Sequence, residues 1–279
     1  MHIDQQFIAD VVNNFHNALS QRTDLCKACR DEFNVEFYKK RAYQELYGAR
    51  YIPAYYFEYC VLANNLNRRL NGQYDHLNIT SLGCGLSPDY YAFRDNLSGL
   101  QFKYVGYDCV EWTSKKHMPP VGSNYQFVFE NIHNLTTEQL ADTDVYVFPK
   151  SIGDIGENIV KVLAQKISKS NKNRIFFLNS YVTNEYKTSV DCSLFLAIHD
   201  ELLDNGFVTN DDPSLTFFYP GEKGPGLRGI HNGFLYPSDK ILLCNKVEAN
   251  DEICATCLAA KQPIFTNKFM CYSLLEYQR

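Results

Sequence analysis

The spacing of apolar positions divides the chain near residue 75. Before that point Phe7, Ile8, Val11, Val12, Phe15 and Leu19 recur at the three- and four-residue intervals that line one face of a helix. Between residues 33 and 70, Phe37, Tyr43, Leu46, Tyr47, Tyr55, Tyr56, Tyr59, Leu62 and Leu66 keep the same rhythm. Pro53 has no amide hydrogen to give and crowds the turn before it, so at least two helices are expected there.

From residue 76 the texture changes. Short apolar runs at 77–82, 103–107, 125–129, 145–148 and 174–179 read as strands. Helical segments are expected at 88–96, 136–140, 156–168 and 192–205, and strands separated by helices predict a parallel sheet with right-handed crossovers. Two further strand candidates, 215–219 and 240–247, are separated by Pro220-Gly221-Glu222-Lys223-Gly224-Pro225-Gly226, too rich in glycine and proline for a helix. They are expected to pair as an antiparallel hairpin with a long loop, in which Gly221 to Gly233 is a candidate lid. The expected fold class is therefore α/β, a mainly parallel sheet ending in an antiparallel hairpin, with a helical N-terminal region. The expected divisions are a helical region at 1–75, a sheet domain at 76–250, and a cysteine-containing tail at 251–279 that packs on the N-terminal region.

Composition narrows the classes. With 279 residues, 45% hydrophobic and 21% charged, the chain is long and apolar enough for a large core, which excludes a disordered, collagen-like or coiled-coil protein. A net charge of -5 does not give the field of a protein that grips phosphate backbones. Nucleic acid enters only through the local clusters Lys39-Lys40-Arg41, Arg68-Arg69 and Lys115-Lys116, which also suit ordinary solvated helix faces. No run approaches the ~20 apolar residues of a membrane span, and the first residues lack the pattern of a signal peptide. A soluble cytoplasmic protein is expected, with no membrane partner.

The most informative stretch is Asn78-Ile79-Thr80-Ser81-Leu82-Gly83-Cys84-Gly85-Leu86-Ser87-Pro88-Asp89. An apolar strand runs into Gly-x-Gly and then a proline suited to the first turn of a helix. Gly83 and Gly85 have no side chain, so backbone there can approach a ligand closely. One strand later, Phe102-Lys103-Tyr104-Val105-Gly106-Tyr107-Asp108 ends in a carboxylate placed to accept from two ribose hydroxyls. The plainer readings are a tight turn at the glycines and a helix cap at Asp108.

This arrangement resembles the class I S-adenosylmethionine-dependent methyltransferases over residues 76–248. The resemblance implies a Rossmann-like sheet ending in a reversed hairpin, S-adenosylmethionine as cofactor, and methyl transfer to an acceptor. It places Gly83 and Gly85 against the methionine part of the cofactor, Asp108 on the ribose, and the Glu130-Asn131 pair on the adenine. Two positions depart from the family pattern: Ser81 stands where an acid precedes the first glycine, and Ser87 where a third glycine is usual. Ser81 can accept a hydrogen bond but cannot neutralise the cofactor's ammonium group. A nicotinamide dehydrogenase is disfavoured, because Pro88 stands where the dinucleotide fingerprint needs a third glycine.

In the family the loop after the fourth strand faces the acceptor. Here it reads Val147-Phe148-Pro149-Lys150-Ser151-Ile152-Gly153-Asp154, making Lys150, Ser151 and Asp154 the candidate catalytic residues, with helix capping the competing role for Ser151 and Asp154. Asn179-Ser180-Tyr181 also reads as acceptor-facing or as strand-end packing. The base-amino motif Asn/Asp-Pro-Pro-aromatic is absent, as is a Pro-Cys pair for attack on a pyrimidine ring. The acceptor is left open among small molecule, protein and RNA. The loss of the acid at Ser81 also supports an alternative, a catalytically degenerate methyltransferase-like domain serving as a binding or scaffold component.

Ten cysteines include two CxxC pairs, Cys26/Cys29 and Cys254/Cys257. Together they supply the four thiolates of a tetrahedral structural zinc site. Joining them across the chain costs about 5 to 6 kcal/mol of loop entropy, against roughly 10 to 16 kcal/mol for structural zinc, so their separation is no obstacle. Cys271 in place of one ligand, or free thiols, are the alternatives.

Overall fold

The computed structural model describes residues 1–22, 35–181, 185–218 and 271–279. Its strands are β1 (His76–Leu82), β2 (Gln101–Asp108), β3 (Tyr125–Phe129), β4 (Val145–Pro149), β5 (Arg174–Tyr181), β6 (Phe217–Phe218) and β7 (Cys271–Gln278). They form one sheet in the order β3-β2-β1-β4-β5-β7-β6. The β1–β2, β1–β4, β2–β3 and β4–β5 pairs are parallel, whereas β7 runs antiparallel to both β5 and β6.

The sequence explains the layering. Strands β4 and β5 are buried almost throughout, as continuous apolar runs covered on both faces must be, while β3 at the edge is half-exposed. One face packs on α1 (Gln5–Ser20), α3 (Arg41–Leu70) and α4 (Pro88–Asn96), with Phe15, Ile52, Leu62 and Phe93 in its core. The other packs on α7 (Glu157–Ile167) and α8 (Glu185–Asp204), where Leu163, Phe195 and Ile198 meet Tyr146 and Phe177. Three short helices, α2 (Val35–Tyr38), α5 (Thr137–Leu140) and α6 (Ile152–Ile155), and two 3-10 turns, Thr113–His117 and Ile132–Asn134, complete the described set.

Asp4 starts α1 by accepting the amides of Gln6 and Phe7 at 2.9 and 3.2 Å. The break expected at Pro53 does not occur. Helix α3 runs through Pro53 for thirty residues, and the chain breaks instead before Arg41, at Lys40 in extended backbone. A proline inside a helix costs roughly 3 kcal/mol. Burial offsets this cost: Ile52, Ala54, Tyr56, Phe57 and Cys60 around the proline are all core residues. Gly48 brings α1 and α3 together, because a Cβ there would meet the Phe15 ring at 2.3 Å.

Two expectations at the C-terminal end change. The antiparallel end of the sheet is present, but the strand paired with β6 is β7; residues 240–247 lie outside the described residues. Cys271–Gln278, expected in a tail beyond the sheet, is instead an inner strand bonded to β5 from Tyr181↔Cys271 to Arg174↔Gln278. Cys271, Ser273, Leu275 and Tyr277 are buried. The sheet domain therefore extends past residue 250, to the last residues of the chain.

Candidate functional site

Strand order reverses between β1 and β4, and the carboxyl ends of strands at such a switch point leave a crevice for a ligand. The Gly-x-Gly turn lies at this edge. Gly83 has φ 79°, and its amide donates to the Tyr107 carbonyl at 2.8 Å. A Cβ on Gly83 would lie 2.5 Å from the Ser151 Cβ, so only glycine fits both the left-handed backbone and the neighbour. Gly85 is also left-handed, at φ 55°, and so is Ser87, at φ 57°, where the family usually has its third glycine.

Asp108 faces this turn across the β1–β2 register. Its Oδ2 accepts the Gly85 amide at 2.8 Å and its Oδ1 accepts the Val110 amide at 2.8 Å. Burial pushes its carboxyl pKa up, against the opposing pull of those two amides, the Trp112 indole and Lys115. A carboxylate offers about four lone-pair sites, so two remain for hydroxyl donors. The turn and the acid expected from sequence are thus in direct contact.

Glu130 follows Asp108 in the sheet register, its amide donating to the Asp108 carbonyl at 3.0 Å. Its carboxylate is turned along the chain, accepting the Asn131 amide at 2.9 Å and the Asn134 side chain at 2.8 Å. Asn131 caps the following 3-10 turn through the His133 amide at 3.0 Å. Ser81 is fully buried beneath the turn beside Asp89, which is itself fully buried and accepts the Tyr104 hydroxyl at 2.9 Å on both oxygens. Burial raises the Asp89 pKa to about 6, with the Ser81 and Tyr104 hydroxyls pulling the other way.

The three residues of the β4 loop occupy different situations. The Ser151 hydroxyl donates to the Leu82 carbonyl, tying the loop after β4 to the end of β1. Lys150, at φ 58°, sends its Nζ 2.8 Å from Glu58 and 2.9 Å from the Tyr181 carbonyl. Glu58 also accepts the Ser180 hydroxyl at 2.9 Å, so one buried carboxylate from α3 ties β4 to β5. Asp154 is exposed at the start of α6, within electrostatic range of Tyr38 and Tyr55.

A roof of aromatic side chains covers the shelf. Trp112 reaches 3.6 Å, and the Tyr47 hydroxyl 3.8 Å, from where a Cβ on Gly85 would stand. Ring centroids link Trp112 to Tyr47 and Tyr38 at 5.2 and 5.4 Å, and Tyr47 to Tyr51 and Tyr55 at 5.8 and 5.9 Å. The open shelf expected from sequence is therefore a roofed one. The helical rhythm read in the sequence includes Tyr47 and Tyr55 only as apolar-face positions, and it does not single out Glu58. The signal for the roof was the four-residue spacing of Tyr47, Tyr51 and Tyr55; nothing distinguished Glu58 from other helical acids.

The donor set fits a nucleoside cofactor in part. A side-chain-free shelf, a carboxylate with free lone pairs and flat aromatic faces suit a ribose and an adenine. No carboxylate at position 81 meets an ammonium group. The expected zinc ligands Cys26, Cys29, Cys254 and Cys257 lie outside the described residues. Among the described residues no group of three or more His, Cys, Asp or Glu side chains could hold a metal ion, and no helix is long and apolar enough to cross a membrane. A cleft of about 840 Å³ lies at the other, amino end of β2 and β3, lined by His76, Lys103 and Gln126, away from the glycine turn.

No family model matches the chain, and no curated protein sequence does. Among solved structures it is similar to a plantazolicin methyltransferase in complex with SAH, at 12% identity and a TM-score of 0.48, covering 99% of this chain and 98% of that one. It is similar also to a magnesium protoporphyrin IX methyltransferase from Synechocystis PCC 6803 with bound SAH, at 12% identity and 0.41, covering 99% and 100%. A third is an S-adenosylmethionine-dependent methyltransferase from Mesorhizobium loti, at 12% and 0.41, covering 77% and 96%. With five parallel strands reversing at β1–β4, an antiparallel β7 inserted between β5 and β6, a glycine turn after β1 and an acid ending β2, the chain has the Rossmann-like fold of the class I S-adenosylmethionine-dependent methyltransferases.

Proposed function

We propose that the chain is an S-adenosylmethionine-dependent methyltransferase. The observation that carries this reading is the contact of the Asp108 carboxylate with the Gly85 amide at the carboxyl edge of the sheet, which puts a hydroxyl-binding acid beside a side-chain-free shelf. Asp108 would hold the ribose hydroxyls, Gly83 and Gly85 would lie along the methionine part, and Glu130 and Asn131 would border the adenine. When bound, the cofactor supplies a methyl group on a positively charged sulfur. The protein's work is to hold an acceptor in line with that methyl and to exclude water, for which the roof of Trp112, Tyr47 and Tyr55 is suited. Lys150 and Asp154 border the acceptor side, whereas the Ser151 hydroxyl is committed to the Leu82 carbonyl and acts as a latch. The acceptor stays open among small molecule, protein and RNA.

A second reading is favoured by Trp112 and Tyr47 resting on the shelf and by both Asp108 oxygens being engaged within the chain: a domain that has lost the cofactor and serves as a binding component. One titration separates the two. Trp112 is the chain's single tryptophan and touches the shelf, so its fluorescence reports occupancy directly. Saturable quenching by S-adenosylhomocysteine that Asp108→Ala abolishes supports the enzyme. No optical change and no heat at millimolar ligand leaves the second reading. We also propose a structural zinc clasp at Cys26, Cys29, Cys254 and Cys257, resting on the two CxxC spacings. Metal analysis of protein purified without chelator should give about one equivalent; under a tenth removes the clasp.

A further inference from the structure

The outer edge of β3 is open, and its sequence does nothing to close it. Edge strands are ordinarily blunted by a lysine, a proline or a bulge, because their unpaired amides and carbonyls attract further strands. Strand β3 reads Tyr125-Gln126-Phe127-Val128-Phe129, with no charge and no proline, and it follows β2 without a bulge from Tyr104↔Tyr125 to Asp108↔Phe129. The strand at the opposite edge, β6, is two residues long.

Which backbone groups are open follows from the ladder. The Tyr104 amide donates to the Asn124 carbonyl at 2.8 Å, and the Glu130 amide to the Asp108 carbonyl at 3.0 Å. In a parallel pair alternate residues bond the neighbour through both of their backbone groups. Gln126 and Val128 therefore turn theirs toward β2, whereas Tyr125, Phe127 and Phe129 turn theirs outward. The Tyr125 amide bends back to the Gly122 carbonyl at 3.3 Å. The Tyr125 carbonyl and both backbone groups of Phe127 and of Phe129 have no partner among the described residues.

This pattern is its own complement. We propose that β3 pairs antiparallel with β3 of a second copy of the chain, about a two-fold axis at Phe127, making one sheet continuous across two subunits. Phe127 then exchanges both of its bonds with Phe127 of the partner subunit, and the Phe129 amide donates to the carbonyl of the partner's Tyr125, with the symmetric bond returned. The side chains agree with that register. Phe129, 59% exposed in one chain, comes opposite Tyr125 of the partner subunit as an aromatic cross-strand pair. On the other face Glu130 comes opposite the partner's Asn124. The exposed Lys103 of the partner subunit lies one strand further in on that face, roughly 10 Å away between backbones, a gap that the two side chains span. Glu130 holds its own chain through Oε1, accepting from Asn131 and Asn134, which leaves Oε2 to meet that lysine. The pairing does not depend on the methyltransferase reading.

The test is sedimentation of the full chain over a concentration series, in which the mass should rise from 32.2 kDa toward twice that value. Phe127→Pro removes the donor at the axis, an amide that bonds nothing among the described residues, and Gln126→Glu puts a second acid next to the partner's Glu130. Each should weaken dimerisation by about tenfold or more while keeping the circular dichroism of the wild type. Should Phe127→Pro fail to fold, Gln126→Glu decides, because Gln126 is exposed. Lys103→Glu should weaken the dimer as well, and Lys103→Glu/Glu130→Lys should recover at least part of the loss. A single-copy mass at every concentration overturns the proposal. A dimer whose dissociation constant none of these substitutions moves also overturns it, by placing the interface elsewhere.

Discussion

Asp108 and Gly85 are joined by a 2.8 Å hydrogen bond from the glycine amide to the carboxylate, so the acid proposed to hold a ribose also fixes the turn that would carry the rest of the cofactor. Binding and architecture are therefore coupled at one side chain. Replacing Asp108 by alanine leaves two buried amides, those of Gly85 and Val110, without acceptors. Each unsatisfied donor costs roughly 1 to 3 kcal/mol. Asp108→Ala should lose stability in urea unfolding as well as S-adenosylhomocysteine affinity. Asp108→Asn keeps one acceptor oxygen and should recover most of the stability while still losing affinity. Equal stability of Asp108→Ala and wild type would contradict the bonding described for the turn.

Gly83 tests the shelf from the other side. An alanine there must adopt φ near 79° and place its Cβ 2.5 Å from that of Ser151. Left-handed strain alone is of order 1 to 3 kcal/mol, and the contact is with a Ser151 side chain held by its bond to Leu82. Gly83→Ala should lower the melting temperature measurably. The double variant Gly83→Ala/Ser151→Gly, which removes the facing Cβ, should recover part of the loss; no recovery would show that the turn rather than the contact sets the cost.

How far the sequence disclosed this molecule depends on the range of the interaction. Strand β3 falls on the expected limits, and β1, β2, β4 and β5 within two residues, because apolar runs and their flanking turns are local signals. Pro53 misled because the packing that carries a helix through a proline comes from α1 and α4, far away in sequence. Strand β7 was hidden because Cys271–Gln278 was grouped with the CxxC pair upstream, and its pairing with β5 spans about ninety residues. In the site, Gly83, Gly85 and Asp108 were visible as a motif. The Glu58–Lys150 pair was not, since nothing local in an Asn-, Tyr- and Arg-rich helix says that its two acids, Glu45 and Glu58, are buried or which cation each meets.

That pair carries its own prediction. Glu58 and Lys150 are 3% and 12% exposed in their side chains, so the charges are largely withdrawn from water. Breaking a buried pair by removing one partner typically costs about 3 to 5 kcal/mol, whereas replacing both by apolar groups is often close to neutral. Glu58→Leu should be strongly destabilised in urea unfolding. Glu58→Leu/Lys150→Met should be markedly less so, giving a coupling energy of the sign expected for a direct pair. Additive losses would mean that Glu58 acts mainly through Ser180.

Asp89 sets the pH dependence. Its carboxyl is fully buried, and burial raises its pKa from 3.8 to about 6 in the folded protein. The unfolded chain thus releases the proton more readily than the native one. Folding favours the protonated acid, so this residue's contribution is fully present below pH 4 and is lost as pH rises through 6. A difference of about two pKa units corresponds to roughly 3 kcal/mol at most. Replacement by asparagine keeps an acceptor for the Tyr104 hydroxyl and removes the titration. Unfolding of wild type and Asp89→Asn should therefore be compared at pH 4.5 and pH 7.5. The stability difference, variant minus wild type, should become more favourable to the variant at the higher pH, with the midpoint of the change about midway between 3.8 and 6. A difference independent of pH would mean that the carboxyl of Asp89 ionises in the folded protein as it does in the unfolded chain, and that the polar cluster of Ser81, Asp89 and Tyr104 beneath the glycine turn is more hydrated than its burial indicates.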